Sequence, residues 1–117
     1  MKGNIVLTGG TDRDCRGVKS AQTYLMDVQT EKWQQKSYPE LNTARCYHTA
    51  LGLEEQCYVA CGWGADGTLN SLEMHRLGTE AWVLIYIPDM KPRAHPILSQ
   101  LDAKNICLLG GYAGRSY

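Results

Sequence analysis

The sequence contains no phenylalanine, carries no net charge and has no long apolar run. The longest apolar stretch, AWVLIYI at residues 81–87, is far shorter than the ~20 residues that a membrane-spanning helix needs. The 12 basic and 12 acidic side chains are scattered along the chain, so neither nucleic acid nor a membrane is a predicted partner. With 44% hydrophobic residues among 117, the chain is expected to fold as one domain with a modest core.

The cysteines are few and do not form a disulfide framework. Their number, 5, is odd, and their spacing is not compact, so we expect reduced thiols and a cytoplasmic protein. No signal peptide is recognisable after Met1. Cys57 and Cys61 lie on one short predicted strand without a paired C-x-x-C element, so we expect neither a metal site nor a cofactor.

One short segment occurs three times. Each copy has a polar amide, then four mostly apolar residues, then small residues that end in glycine. The copies are NIVLTGG at residues 4–10, QCYVACG at residues 56–62 and NICLLGG at residues 105–111.

The repeat has a constant period. Three extra residues between the first two copies fall in the loop at residues 11–23. A period of about 50 residues indicates a stacked or radial array of small units. The pairs that are 49 residues apart are Gly62 and Gly111, Trp33 and Trp82, and Pro39 and Pro88.

Each unit is predicted to contain four short strands and no helix, which makes the fold class all-β. The second strand is apolar at nearly every position, as expected for an inner strand that is covered on both faces. In the second unit the four strands are predicted at residues 46–53, 56–61, 71–77 and 82–87.

These markers together resemble the kelch repeat, and the resemblance covers essentially the whole chain. It rests on the glycines that close the second strand, a glycine-rich loop, a tryptophan 20 to 23 residues later, and then proline, arginine and histidine. Cys61 departs from the pattern, since it replaces a glycine, and so do His75 and Arg76 in the third strand. The resemblance implies antiparallel four-stranded blades of a β-propeller, with a partial blade at residues 1–43, a complete blade at 44–92 and a partial blade at 93–117.

Recurring residues are expected to be structural. Glycine at a strand end permits unusual backbone conformations and close approach of another segment, and tryptophan fills the space between blades. His48 and His95 are interpreted as equivalent positions that also serve the repeat. The predicted structural residues are Gly9, Gly10, Trp33, Gly62, Trp82, Gly110 and Gly111.

The resemblance implies protein recognition through the loops that join strands two and three, and strand four to the next blade. Arginine and aromatic side chains contribute strongly to interfaces, and several arginines favour an acidic peptide or a subunit of a larger assembly as the partner. Arg45 and Arg93 recur with the repeat, so a structural role is their alternative. The predicted partner-binding residues are Arg13, Arg16, Lys19, Asn42, Arg45, Trp63, Asn70, Arg93, Tyr112 and Arg115.

Two interpretations of the function stay open. The first is a non-enzymatic scaffold, in the manner of ubiquitin-ligase adaptors or cytoskeletal proteins. The second is a fragment of a kelch-propeller enzyme, of the copper oxidase or sugar epimerase type, whose active centre lies outside this chain. Since a propeller needs about four to eight blades, the remaining blades are expected from the rest of a longer chain or from another subunit.

Overall fold

The structure is a computed structural model that describes residues 4–11, 21, 23–27, 32–34, 39–76 and 78–112. The described residues form short antiparallel strands with no helix among them, which confirms the predicted all-β class. No helix long and apolar enough to cross a membrane occurs in these ranges.

The strands form three sheets, numbered here along the chain, and one separate two-stranded hairpin. Sheet 1 has the order β1 (Asn4–Thr8), β2 (Thr23–Asp27), β3 (Lys32–Gln34). After β4 (Thr49–Gly52) and β5 (Gln56–Ala60) comes a small hairpin of β6 (Trp63–Gly64) and β7 (Gly67–Thr68), followed by β8 (Ser71–Arg76) and β9 (Val83–Tyr86). Sheet 2 has the order β4-β5-β8-β9, and sheet 3 pairs β10 (Ile97–Gln100) with β11 (Ile106–Leu109).

The four strands predicted for the second unit correspond to sheet 2. Strands β4, β5 and β9 are somewhat shorter than predicted, and residue 77 of the third predicted strand lies outside the described residues. Strand β5 pairs with β4 on one side and β8 on the other, which confirms that it is an inner strand. The hairpin of β6 and β7 was not predicted. It forms in the loop at residues 62–70 around the two-residue turn Ala65-Asp66, and Gly67, the first residue of β7, has a φ of 127°.

The apolar character of β5 follows from its position between two sheets. Cys57 and Val59 belong to a core cluster that also contains Trp82, and Val6 of β1 packs against this cluster. The intervening residues Tyr58 and Ala60 pack on the opposite side with residues of sheet 3. Because side chains alternate along a strand, a strand that is covered on both faces is apolar at successive positions.

The backbone ends β1, β5 and β11 in the same way. Two successive residues after each strand have positive φ values, near 64° and then near 100°. Cys61 therefore keeps the left-handed conformation of the glycines that it replaces, although a residue with a Cβ adopts it less readily. The three pairs are Gly9 (64°) with Gly10 (107°), Cys61 (62°) with Gly62 (98°), and Gly110 (65°) with Gly111 (99°).

Three of these positions also leave no room for a side chain, and at Gly111 a methyl group would lie 2.9 Å from the carbonyl oxygen of Ala94. A methyl group on Gly9 would lie 2.5 Å from the carbonyl oxygen of Arg45, which leads into the next sheet. The same group on Gly62 would lie 2.5 Å from the carbonyl oxygen of Cys46, which leads into the sheet that contains β5 itself. The expected close approach of another segment is therefore present at both glycines.

Backbone hydrogen bonds between successive units repeat with the sequence. Gly10 N–H donates to the carbonyl of Arg45 at 2.7 Å, and Gly62 N–H donates to the carbonyl of Arg93 at 2.8 Å. Gly10 follows β1, Gly62 follows β5, and each arginine precedes the next sheet, so sheets 1 and 2 are joined in the same way as sheets 2 and 3.

The cysteines do not all behave as predicted. Cys57, Cys61 and Cys107 are free, but Cys46 is disulfide-bonded, so the expectation of reduced thiols is wrong at this position. An odd number of cysteines indicates that at least one is free, but it still allows a disulfide bond between two of the others. This finding also removes one ground for the expected cytoplasmic location.

Candidate functional site: the loop face

Three backbone pairings gather the loops at one end of sheets 2 and 3. Cys46 and Trp63 exchange hydrogen bonds of 3.0 and 2.7 Å, and Ala94 and Tyr112 exchange bonds of 2.9 and 2.7 Å. Between them, Arg93 N–H donates to the carbonyl of Leu69 at 3.0 Å. The loop that contains β6 and β7 is thereby fixed against the segment that connects sheet 2 to sheet 3.

These pairings bring four of the predicted partner-binding residues to the same end of the sheets. Tyr112 is 47% exposed, while Trp63, Asn70 and Arg93 are half-buried. Two further residues, Tyr47 and His95, adjoin them in the chain next to Cys46 and Ala94. We call this surface the loop face and define it by Tyr47, Trp63, Asn70, Arg93, His95 and Tyr112.

Tyr47 and His95 form a stack that sequence analysis did not identify. Their ring centroids are 4.5 Å apart with an interplanar angle of 28°, and His95 N–H donates to the carbonyl of Tyr47 at 2.9 Å. Both side chains are exposed, and both residues have positive φ, 53° and 59°. The signal was present in the sequence, because each residue follows a recurring arginine by two positions.

The interpretation of His48 and His95 as equivalent residues is therefore wrong. Tyr47 is the counterpart of His95, and Pro96 occupies the place of His48 in sheet 3. The Nε2 atom of His48 lies 2.9 Å from the hydroxyl of Thr8, and its buried Nδ1 atom has no partner among the described residues. Burial, and then the positive charge of Arg45, lower the pKa of His48 to about 4.

Arg45 does not belong to the loop face, because it is buried with an exposed fraction of 0%. Its Nη1 atom donates to the carbonyls of Cys61 and Ser71 at 3.0 and 3.2 Å. Its Nη2 atom donates to the Ser71 hydroxyl at 3.1 Å and to the Glu73 carboxylate at 2.8 Å. Burial lowers the pKa of Arg45, and the charge of Glu73 opposes this effect. A partner molecule could not reach this guanidinium without opening the sheet.

Glu73, which sequence analysis did not single out, completes the arrangement from β8. Its carboxylate is also 0% exposed and accepts hydrogen bonds from the backbone N–H groups of Asn42 at 2.6 Å and Thr43 at 2.9 Å. The Asn42 side chain donates to Glu73 at 3.2 Å and to the carbonyl of Trp82 at 2.8 Å. Asn42 is exposed, but its side-chain amide connects the segment before β4 to sheet 2.

Arg93 repeats two of the five side-chain hydrogen bonds of Arg45. Its Nη1 atom donates to the carbonyl of Gly110 at 2.9 Å, and its Nε atom donates to the carbonyl of Lys91 at 3.2 Å. These carbonyls correspond in the repeat to those of Cys61 and Thr43, which Arg45 contacts. No described strand follows β11, so the described part of sheet 3 contains no counterpart of Glu73.

The remaining predicted partner-binding residues, Arg13, Arg16, Lys19 and Arg115, lie outside the described residues. Among the charged side chains near the loop face, Asp66, Asp89 and Lys91 are exposed. The described part of the face is thus aromatic with mixed charge. Within the described ranges, no three His, Cys, Asp or Glu side chains form a group that could hold a metal ion.

The chain is similar to a known protein. The chain is 32% identical over 85 residues to an F-box/kelch-repeat protein of Arabidopsis thaliana. The matched region covers 73% of this chain but only 21% of that protein, so the chain spans about a fifth of the length of this relative. No protein-family model matches the chain.

Proposed function

We propose that this chain is a non-enzymatic interaction module built from kelch repeats, in which sheets 1 to 3 are successive blades of a β-propeller. The similarity to an F-box/kelch-repeat protein supports an interaction module. The repeated φ pairs after β1, β5 and β11, and the repeated glycine-to-arginine hydrogen bonds, support successive units of one kind.

We further propose that the loop face binds a protein partner, together with the predicted loops at residues 11–23 and 112–117. The observation that carries this proposal is the set of backbone pairings that hold Trp63, Arg93 and Tyr112 at one end of the sheets. Exposed aromatic rings on a fixed backbone lose little entropy on binding and supply apolar contact area. Arg13, Arg16, Lys19 and Arg115 would add the positive charge that favours an acidic peptide or a subunit of a larger assembly.

Further blades, from a longer chain or from another subunit, would complete the propeller. Leu7 is 54% exposed on the face of sheet 1 that points away from sheet 2, where its counterpart Val59 is buried against sheet 1. On the far side of sheet 3, Ile97 and Leu109 are exposed, although Ala60, the counterpart of Leu109, is buried. Apolar surfaces at both ends of a stack are expected where more sheets pack.

The test compares partner capture with folding in the full-length protein that contains this chain. One variant combines Arg13→Glu, Arg16→Glu and Arg115→Glu, a second is Tyr112→Ser, and the control is Arg76→Glu, an exposed charge at the opposite end of β8. Quantitative pull-down with mass spectrometry should show proteins that the parent and the control retain and that the loop variants lose. Thermal melts of all variants should agree within about 2 °C.

Two outcomes would contradict the proposal. If the loop variants melt well below the parent, these residues support the fold and not a partner. If the control loses the same proteins as the loop variants, charge in general and not the loop face accounts for the binding.

A further inference from the structure

Strand β9 is the outer strand of sheet 2, and no described strand pairs with its free side. On its other side β9 pairs with β8, and Ile87 N–H continues this pairing by donating to the carbonyl of Asn70 at 3.0 Å. Backbone groups alternate in direction along an antiparallel strand, so those of Ile85 also point toward β8. The N–H and C=O groups of Leu84 and Tyr86 therefore point away from the sheet.

Two features limit the free edge of β9 to Leu84 and Tyr86. Before them, the carbonyl of Trp82 accepts a hydrogen bond from the Asn42 side chain at 2.8 Å. After them, Pro88 has no N–H group to donate. A strand that pairs with this edge can therefore use only the outward groups of Leu84 and Tyr86, and this restricts its register.

The edge of β9 also lacks the usual protection against pairing with another chain. Strand edges are commonly protected by charged side chains, by proline or by a bulge. Residues 81–87, AWVLIYI, contain neither charge nor proline, and the side chains of Ile85 and Tyr86 are 44% and 67% exposed. Sheets that stack on either face of sheet 2 would cover side chains but would leave the backbone edge open. The edge is therefore available whatever packs on the two faces.

A second copy of β9 satisfies the restricted register. When two antiparallel copies are centred on Ile85, Leu84 of each copy lies opposite Tyr86 of the other, and their outward groups pair with each other. A shift by two residues in one direction would bring Tyr86 opposite Trp82, whose carbonyl is already bonded. A shift in the other direction would bring Leu84 opposite Pro88, which has no donor. Only the central register pairs all of the outward groups.

The side chains are compatible with this register. Ile85 faces Ile85 of the other copy in a pair without backbone hydrogen bonds, where opposite side chains are closest. Aromatic and β-branched side chains are favourable in such cross-strand pairs. At the ends of the paired segment, Asp89 lies opposite Ala81 and Glu80 lies opposite Met90, so no like charges are opposed.

We propose that two copies of this protein associate through β9, as an antiparallel pair with a twofold axis at Ile85. The two copies of sheet 2 would then form one continuous sheet across the axis, and the same surface of each copy would form the interface. The contact is small, so the association is expected to be reversible and to depend on protein concentration.

This interface is separate from the loop face. It uses none of the side chains that define the loop face, and it depends on sheet 2 alone, whether or not further sheets complete a propeller. Loss of dimerisation would therefore leave partner capture unchanged, and the two experiments can fail independently.

The test measures the mass of the full-length protein that contains this chain by sedimentation equilibrium. The variants Ile85→Lys and Ile85→Glu each oppose two like charges at the axis, which is expected to weaken dimerisation at least tenfold. An equal mixture of the two variants opposes lysine and glutamate, so dimers of mixed composition should form. The control Arg76→Glu changes an exposed charge at the end of β8 and should dimerise like the parent.

A further variant tests the backbone pairing. Tyr86→Pro removes an outward N–H group and leaves the hydrogen bonds between β8 and β9 in place, so it should abolish the dimer without unfolding the protein. Thermal melts would verify folding, and the charge mixture decides the question even where the proline variant does not fold.

Four outcomes would overturn the proposal. The first is a parent protein that stays monomeric at every concentration. The second is an Ile85→Lys variant that dimerises like the parent, and the third is a mixture of the two charge variants that stays monomeric. The fourth is a folded Tyr86→Pro variant that stays dimeric, since the backbone edge would then not hold the copies together.

Discussion

Removing the charge of Arg45 is expected to destabilise the chain severely. Because Arg45 is buried, the substitution changes no exposed side chain. The substitution Arg45→Met keeps most of the apolar stem but removes the four hydrogen bonds to Cys61, Ser71 and Glu73 that lie between 2.8 and 3.2 Å. It also leaves the Glu73 carboxylate buried without its cation. Breaking a buried ion pair in this way typically costs about 3–5 kcal/mol, and a domain of this size has about 5–15 kcal/mol in total.

The assay is urea denaturation followed by tryptophan fluorescence, with Arg76→Met as the control. Arg76 is exposed at the end of β8, so its substitution should change the free energy of unfolding by about 0.5 kcal/mol or less. If Arg45→Met stays as stable as the Arg76→Met variant, the buried pair does not support the fold, and Arg45 returns to the set of binding candidates.

A second substitution tests the coupling between the two residues. Glu73→Leu alone leaves the Arg45 guanidinium buried and the backbone N–H groups of Asn42 and Thr43 without their acceptor. The double variant Arg45→Met, Glu73→Leu removes both charges, and apolar replacement of a buried pair is often tolerated. The double variant should therefore lose less stability than the sum of the single variants, by about 1–3 kcal/mol.

Three further predictions concern other described residues. Trp82→Ala should cost about 3–5 kcal/mol in urea denaturation, because Trp82 is 3% exposed and its indole N–H donates to the carbonyl of Pro39 at 2.9 Å. At Cys61, where φ is 62°, the glycine variant should be more stable than the alanine variant by about 1 kcal/mol, whereas on strand β5 Cys57→Ala should be more stable than Cys57→Gly. The pKa of His48 is lowered from 6.5 to about 4, so its neutral form stabilises the fold above pH 6.5, and up to about 3 kcal/mol should be lost as the pH falls from 6.5 to 4. His48→Gln should flatten this pH dependence, and the opposite slope, or no change in slope, would show that His48 does not titrate in this way.

The periodic part of the fold could be predicted from the sequence. The spacing of the glycines and tryptophans predicted the length of the repeat unit. The apolar run at residues 56–61 predicted an inner strand, and both faces of this strand are covered in the structure. Local signals were sufficient here, since turn residues and strand composition act over a few positions.

The parts that depend on distant contacts could not be predicted. Glu73 is an acidic residue in a strand sequence, SLEMHR, and only the approach of Arg45 and residues 42–43 makes its burial tolerable. The disulfide at Cys46 also depends on tertiary proximity and not on spacing alone. The stack of Tyr47 on His95 joins two units. It was not predicted, because His95 was aligned with His48, which lies one residue after its true counterpart Tyr47.

Arg93 shows that a predicted binding residue can also serve the repeat. Its guanidinium group donates to the carbonyls of Lys91 and Gly110, which are equivalent to two carbonyls that Arg45 contacts. The described part of sheet 3, however, has no third strand that could supply a carboxylate. A strand added beside β11 with an acidic residue in the position of Glu73 would bury Arg93 as Arg45 is buried. Arg93 therefore has a structural role in the repeat through its two backbone contacts, as well as a place on the loop face. The arginines that do not recur in the sequence, Arg13, Arg16 and Arg115, are the stronger candidates for binding.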